Sequence, residues 1–214
     1  VMLLDVGRGS RLAVLAAGGD YHVIEPGRGT GINPFDLPVT ERTLDFLSRF
    51  VGVLARGDEG APLTVDEERR IAAAVRTVMT ELPAELRRLS TVLQQIAPGK
   101  GDDLNALIRR LERWCGEDSD GMPGELAWAF DDGSPRSIGH GRITAFDGTA
   151  ALDHPLVRTP LAMYLTHRFE AGLDGSPTIL AIDELQRWIS DDAFSDFAGD
   201  GMERIRKQNG VCLF

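Results

Sequence analysis

Apolar positions follow two rhythms along the chain. Near both ends they form short unbroken runs, as strands buried in a parallel sheet do. Between the ends they recur every three or four residues, as on a helix. Residues 1–4 make the first run and end at Asp5. Gly7-Arg8-Gly9-Ser10 turns the chain, Ser10 is placed to cap a short helix over 11–17, and Gly18-Gly19 stops it. Residues 21–24 read as a second strand. Strand, short helix and strand in such quick succession predict a βαβ unit and a parallel sheet.

The texture changes after Pro26. Gly27, Gly29 and Gly31 lie in a loop that leads to Asn33-Pro34-Phe35-Asp36-Leu37-Pro38, and from 40 to 115 the period is helical. Thr64-Val65-Asp66-Glu67 has the form of a capping box, with the Thr64 hydroxyl on the Glu67 N–H and the Glu67 carboxylate reaching back. The helix it starts carries Ile71, Val75, Val78 and Leu82 on one face and is stopped by Pro83. A shorter helix is predicted over 84–96. Another is capped by Asp102 or Asp103, with Leu104, Leu107, Ile108, Leu111 and Trp114 on one face. These stripes predict core packing in a compact all-α insert, closed by a polar, Gly-rich linker over 117–124.

The strand pattern then returns. Residues 128–130 read as a weak strand and 142–147 as a better one. A helix is expected over 155–171, capped by Gly172, with Pro160 kinking it or marking its first turn. Thr178-Ile179-Leu180-Ala181-Ile182 shows no polar alternation and is expected to be buried on both faces. A helix from 193 to 207, a turn at Asn209-Gly210 and a last buried strand over 211–214 complete the pattern. The expected organisation is a core in two parts, 1–38 and 125–214, around an all-α insertion at 39–124. Because the chain starts and stops inside apolar runs and opens on Val1, it reads as a piece of a longer protein.

Composition narrows the partners. The net charge of −10 disfavours a protein that coats nucleic acid nonspecifically. No uncharged apolar run approaches the roughly 20 residues of a membrane-spanning helix, and no signal peptide is visible. Cys115 and Cys212 stand far apart with no Cys or His at metal spacing, and the four histidines form no zinc motif.

One constellation carries chemistry. The apolar run 179–182 ends in two consecutive acids, Asp183 and Glu184. In open α/β sheets ligands sit at the carboxyl ends of the strands. There a first acid can face a Mg²⁺ held by nucleotide phosphates, and a second can take a proton from the water attacking the γ-phosphate. Such pairs also occur where acids merely cap the next helix. The partner motif, GxxxxGK[ST], is absent from the 214 residues, whose two lysines are Lys100 and Lys207. Arg206-Lys207-Gln208-Asn209-Gly210 offers cations that could stabilise a transferred phosphoryl group, or simply a solvated helix C-terminus.

Taken in order, the motifs resemble the C-terminal ATPase domain of the TrbE/CagE family of type IV secretion and conjugative transfer ATPases. The similarity is carried by Asp5-Val6-Gly7-Arg8-Gly9, Ala17-Gly18-Gly19-Asp20-Tyr21, Gly29-Thr30-Gly31-Ile32-Asn33-Pro34-Phe35, Phe146-Asp147-Gly148-Thr149, Leu152-Asp153-His154-Pro155, Ile182-Asp183-Glu184-Leu185-Gln186-Arg187-Trp188 and Arg206-Lys207-Gln208-Asn209-Gly210. Gly7 departs from it, standing where the family usually has a second acid. The resemblance implies a RecA-like P-loop NTPase core, α/β with a mostly parallel sheet, plus the all-α insertion. It implies ATP and Mg²⁺ as ligands and ATP hydrolysis that powers pilus assembly and substrate export. Asp183 becomes the Mg²⁺-side acid and Glu184 the catalytic base. Arg206, with Lys207 as a nucleotide contact, approaches from within the chain or from a neighbouring subunit. Implied partners are other secretion components, further copies in a homo-oligomer (often a hexamer), and a transient DNA or protein substrate, at the cytoplasmic face of the bacterial inner membrane. Without its phosphate loop, the chain alone is expected to hydrolyse little ATP. The same core would serve a DNA-translocating motor of FtsK/HerA type, or a nucleotide-free interaction module.

Overall fold

A computed structural model describes residues 1–56, 62–96, 102–116, 121–131, 141–188 and 201–214. Lys100, the first half of the 117–124 linker and the onset of a helix at 193 lie outside them, as do the side chains of residues 102–105. The chain divides into two compact units, Val1–Arg28 with Ser137–Phe214, and Gly29–Arg136.

The first unit is α/β. Strands β1 (Met2–Asp5), β2 (Asp20–Val23), β3 (Thr144–Asp147), β4 (Thr178–Ile182) and β5 (Gly210–Leu213) form one sheet in the order β2-β3-β1-β4-β5. Every pairing is parallel. Helix α1 (Arg11–Ala16) connects β1 to β2, and the long helix α7 (Pro155–Ala171) connects β3 to β4 across β1. Sheet and crossovers follow from the short apolar runs, since parallel strands need connections long enough to return to the same edge. In β4 only Leu180 and Ile182 are buried, whereas Ile179 is 37% exposed, so one face is covered and the expectation of burial on both fails. The last strand also departs from expectation: β5 is an edge, and Val211, Leu213 and Phe214 are exposed.

The second unit is all-α. Its main helices are α2 (Glu41–Leu54), α3 (Val65–Glu81), α4 (Leu89–Gln95) and α5 (Asp102–Glu112), followed by the single turn α6 (Ala127–Phe130). The capping box forms as the sequence predicts: Thr64 accepts from the Glu67 N–H and the Glu67 carboxylate accepts from the Thr64 N–H at 2.8 Å. Phe50, Phe130 and Trp114 stack at the centre, with Phe130 edge-on to Phe50 at 5.1 Å, and the Trp114 indole N–H donates to the Leu54 carbonyl at 3.1 Å. Residues 128–130 are therefore helical rather than a strand. The Trp128 and Ala129 carbonyls accept from the Thr30 N–H and hydroxyl, at 3.0 and 2.7 Å, so no strand partner is needed. The same bonds explain why this unit begins at Gly29, earlier than the helical period suggests.

Helix α7 (Pro155–Ala171) is buried nearly all round, with Val157, Leu161, Ala162, Leu165 and Phe169 among its core residues. A helix apolar on every side belongs inside a domain. Pro155 is its first residue, where a missing N–H costs nothing, and Pro160 lies within it. The short helix α8 (Leu185–Trp188) follows β4, and residues 201–207 are helical before β5.

Candidate functional site at the carboxyl rim of the sheet

The sheet itself marks a site. From β1 the chain moves through α1 to one side of the sheet, and from β4 it moves on to β5 at the other. The carboxyl ends of β1 and β4 thus flank the place where the connections diverge, where an open α/β sheet leaves a crevice for a ligand. Asp183 and Glu184 sit at that place. Leu4 is in register with Ile182, and the Asp183 N–H donates to the Leu4 carbonyl at 2.8 Å, so the acid turn leaves the sheet beside Asp5.

Both predicted acids are exposed. Glu184 adopts a left-handed backbone, φ 51°, unusual for a residue with a Cβ and a form of strain that collects at functional turns. Its carbonyl accepts from the Arg187 N–H at 2.8 Å, and its carboxylate accepts from the Gln186 side-chain amide. The Arg187 guanidinium reaches Asp153 at 2.5 Å. The Trp188 indole N–H donates to the Asp183 carbonyl at 3.1 Å, and the ring is fully buried.

The neighbouring rim acids are used differently. Asp5 and Asp147, paired in register at the ends of β1 and β3, are 2% and 1% exposed. Asp5 accepts from the Tyr21 hydroxyl and from the Ser10 N–H at 3.3 Å. Burial, reinforced by the Asp5 carboxylate, pushes the Tyr21 hydroxyl well above its ordinary pKa, so it stays protonated and donating. Asp147 accepts from Arg8 at 2.9 Å and from the Thr149 N–H and hydroxyl. Arg8 also reaches Glu25 at 3.0 Å, and the Gly7 N–H donates to the Thr149 hydroxyl at 2.7 Å. Gly7 and Arg8 both hold positive φ, which this tight turn requires. Asp5 and Asp147 are committed to holding the rim together. Asp183 and Glu184 are the pair presented to solvent.

The second predicted motif is elsewhere. β5 runs parallel to β4 with Gly210 opposite Thr178, so Arg206 and Lys207, which precede it, lie at the amino-terminal edge. The Asn209 side chain confirms this, donating to the Gly175 carbonyl three residues before β4 begins. Arg206 and Lys207 are exposed, and Lys207 pairs with Glu203 at 2.7 Å. A strand of this length separates them from the acids by roughly 15 Å. Approach to the acids from within the chain is thus not what the fold provides. Its sheet topology, invisible to residue order, is the reason.

Among the described residues no three His, Cys, Asp or Glu side chains gather to hold a metal. A single exposed carboxylate at Asp183 is nevertheless what Mg²⁺ uses when phosphates and water fill the rest of its shell. The residues fit a metal that arrives with a nucleotide.

No protein-family model matches the chain. The whole chain aligns at 41% identity over 220 residues with the type IV secretion system protein PtlC of Bordetella pertussis, and at 41% over 216 residues with the type IV secretion system protein virB4 of Brucella abortus. It aligns at 34% with virB4 of Bartonella henselae. Over its whole length the chain is similar in sequence to the VirB4 and PtlC proteins of type IV secretion systems. It spans about a quarter of the length of these curated relatives, 26% in each case. The solved structure of VirB4 of Thermoanaerobacter pseudethanolicus superposes with a TM-score of 0.74, covering 99% of this chain and 85% of that one at 18% identity, which establishes a shared fold. The α/β fold with its parallel sheet and the resemblance to type IV secretion proteins, both expected from the motifs, are borne out.

Sequence reading missed the fixed part of the rim: the Tyr21–Asp5 and Arg8–Asp147 pairs. A signal was present. Three apolar runs, not one, end in an aspartate, at Asp5, Asp147 and Asp183.

Proposed function

We propose that the chain is part of an ATP-hydrolysing motor domain whose activity drives assembly and export by a type IV secretion apparatus. The observation that carries this reading is the exposed Asp183–Glu184 pair at the carboxyl ends of β4 and β1, where the crossovers diverge. Asp183 would hold Mg²⁺, and Glu184 would accept the proton of the water that attacks the γ-phosphate. When bound, Mg²⁺ supplies neutralisation of the charge on the β- and γ-phosphate oxygens. The phosphate loop is not among the 214 residues and would have to be supplied by the rest of the protein.

Arg206 and Lys207, at the far edge of the sheet, suit a role across a subunit boundary better than one within the chain. In this reading the protein works as a homo-oligomer, beside other secretion components, at the cytoplasmic face of the inner membrane. No helix among the described residues is long and apolar enough to cross a membrane. The cargo would be DNA or protein.

The test is Glu184→Gln in the full-length protein. Loss of the general base should cut ATP turnover by about 10² or more while ATP binding persists. Turnover near that of the unmodified protein would overturn the assignment.

A further inference from the structure

The acid turn is held from behind by one side chain. Trp188 is fully buried, in α8, four residues beyond Glu184. Its indole N–H donates to the carbonyl of Asp183 at 3.1 Å. The ring lies over Gly148, in the loop after β3, so closely that a Cβ there would stand 2.6 Å from it and 3.4 Å from Leu152. Nothing else among the described residues donates to that carbonyl: the turn's other bonds run from Asp183 N–H to Leu4, from Arg187 N–H to Glu184 and from Gln186 to the Glu184 carboxylate. The left-handed Glu184 backbone needs such support, because a strained φ persists only where its surroundings fix it.

We infer that Trp188 is a positioning residue for the acid pair, seated on the bare Cα of Gly148, and that its indole N–H sets the direction in which Asp183 and Glu184 leave the sheet. This rests on the reading of that pair as the Mg²⁺ ligand and general base. The indole N–H bonds the carbonyl of Asp183 rather than a carboxylate, so it acts through the backbone of that residue. A second tie, Arg187 to Asp153, joins the same two loops on the exposed side. The loop after β3 and the acid turn therefore move as one body, and the indole is the buried half of the joint.

Two replacements separate hydrogen bond from packing: Trp188→Phe, and replacement of Trp188 by benzothienylalanine, which keeps the ring shape and loses only the N–H. Each is made in the full-length protein. The first readout is amide hydrogen exchange across residues 183–187 without nucleotide. Exchange should quicken about tenfold with either replacement, the effect of losing one well-made hydrogen bond. The second is ATP turnover, where kcat should fall about fivefold to tenfold while KM for ATP changes less than about twofold, because the misplacement is felt at the reacting atoms. A merely structural role would lower the melting temperature and the fraction of active protein, leaving both readouts per active molecule unchanged. Unchanged exchange in the benzothienylalanine protein overturns the inference, as does unchanged kcat in a protein that hydrolyses ATP. Faster exchange in a protein with no ATP turnover even when unmodified leaves the joint standing and overturns the ATPase reading instead.

Discussion

At the scale of single residues, burial sorts the carboxylates into two kinds. Asp5 and Asp147 are buried and bonded, and their neighbours explain how each is tolerated: a protonated Tyr21 for one, the Arg8 guanidinium and Thr149 for the other. Removing a donor leaves an acceptor stranded, which costs more than the bond contributed. Tyr21→Phe should thus destabilise the α/β unit by about 1–2 kcal/mol, read as a lowered denaturant midpoint. A midpoint equal to that of the unmodified chain would mean that Ser10 and solvent satisfy Asp5 alone. Asp183 is of the other kind. It is exposed, so Asp183→Asn should leave the midpoint unchanged and raise the Mg²⁺ concentration needed for half-maximal ATP turnover.

At the scale of elements, local signals were legible and pairings between distant segments were not. The capping box at Thr64 is written within four residues and forms as read. Thr64→Ala should destabilise the helical unit by about 1 kcal/mol, checked by thermal or denaturant unfolding. The acid-tipped strand β4 was equally legible, since an apolar run and its terminal acids are contiguous. Residues 128–130 were misread because their carbonyls are satisfied by Thr30, about a hundred residues earlier, and no local pattern reveals that. The Arg8–Asp147 pair is separated by 139 positions. The resemblance leaves Arg206 to approach the nucleotide from within the chain or from a neighbouring subunit, and strand direction, which sets it at the opposite edge from the acids, disfavours the first. In the helical unit, burial raises the pKa of Asp131 above its usual 3.8 despite bonds from Gly116 and Ser90. The folded state therefore holds that proton more tightly than the unfolded one. Its contribution to stability grows as pH falls from neutrality through the raised pKa and is lost as pH rises. Asp131→Asn should flatten that part of the profile, compared by denaturant midpoints from neutral pH downwards. Parallel profiles would contradict the shift.

At the scale of the molecule, an all-parallel sheet presents its chemistry on one rim, and the alignment with VirB4 and PtlC proteins runs through that rim from end to end. The net charge of −10 sets the chain apart from a nucleic-acid-coating protein. DNA affinity of the full-length protein that strengthens steeply as salt is lowered would shift the reading toward a DNA-translocating motor. The central claim, that Asp183 and Glu184 face a nucleotide at the carboxyl ends of β1 and β4, is tested most directly by a structure of the full-length protein with Mg²⁺ and a non-hydrolysable ATP analogue. The account predicts the metal beside the Asp183 carboxylate, directly or through one water, with Glu184 facing the γ-phosphate. A nucleotide bound away from that rim, with both acids in open solvent, would contradict it.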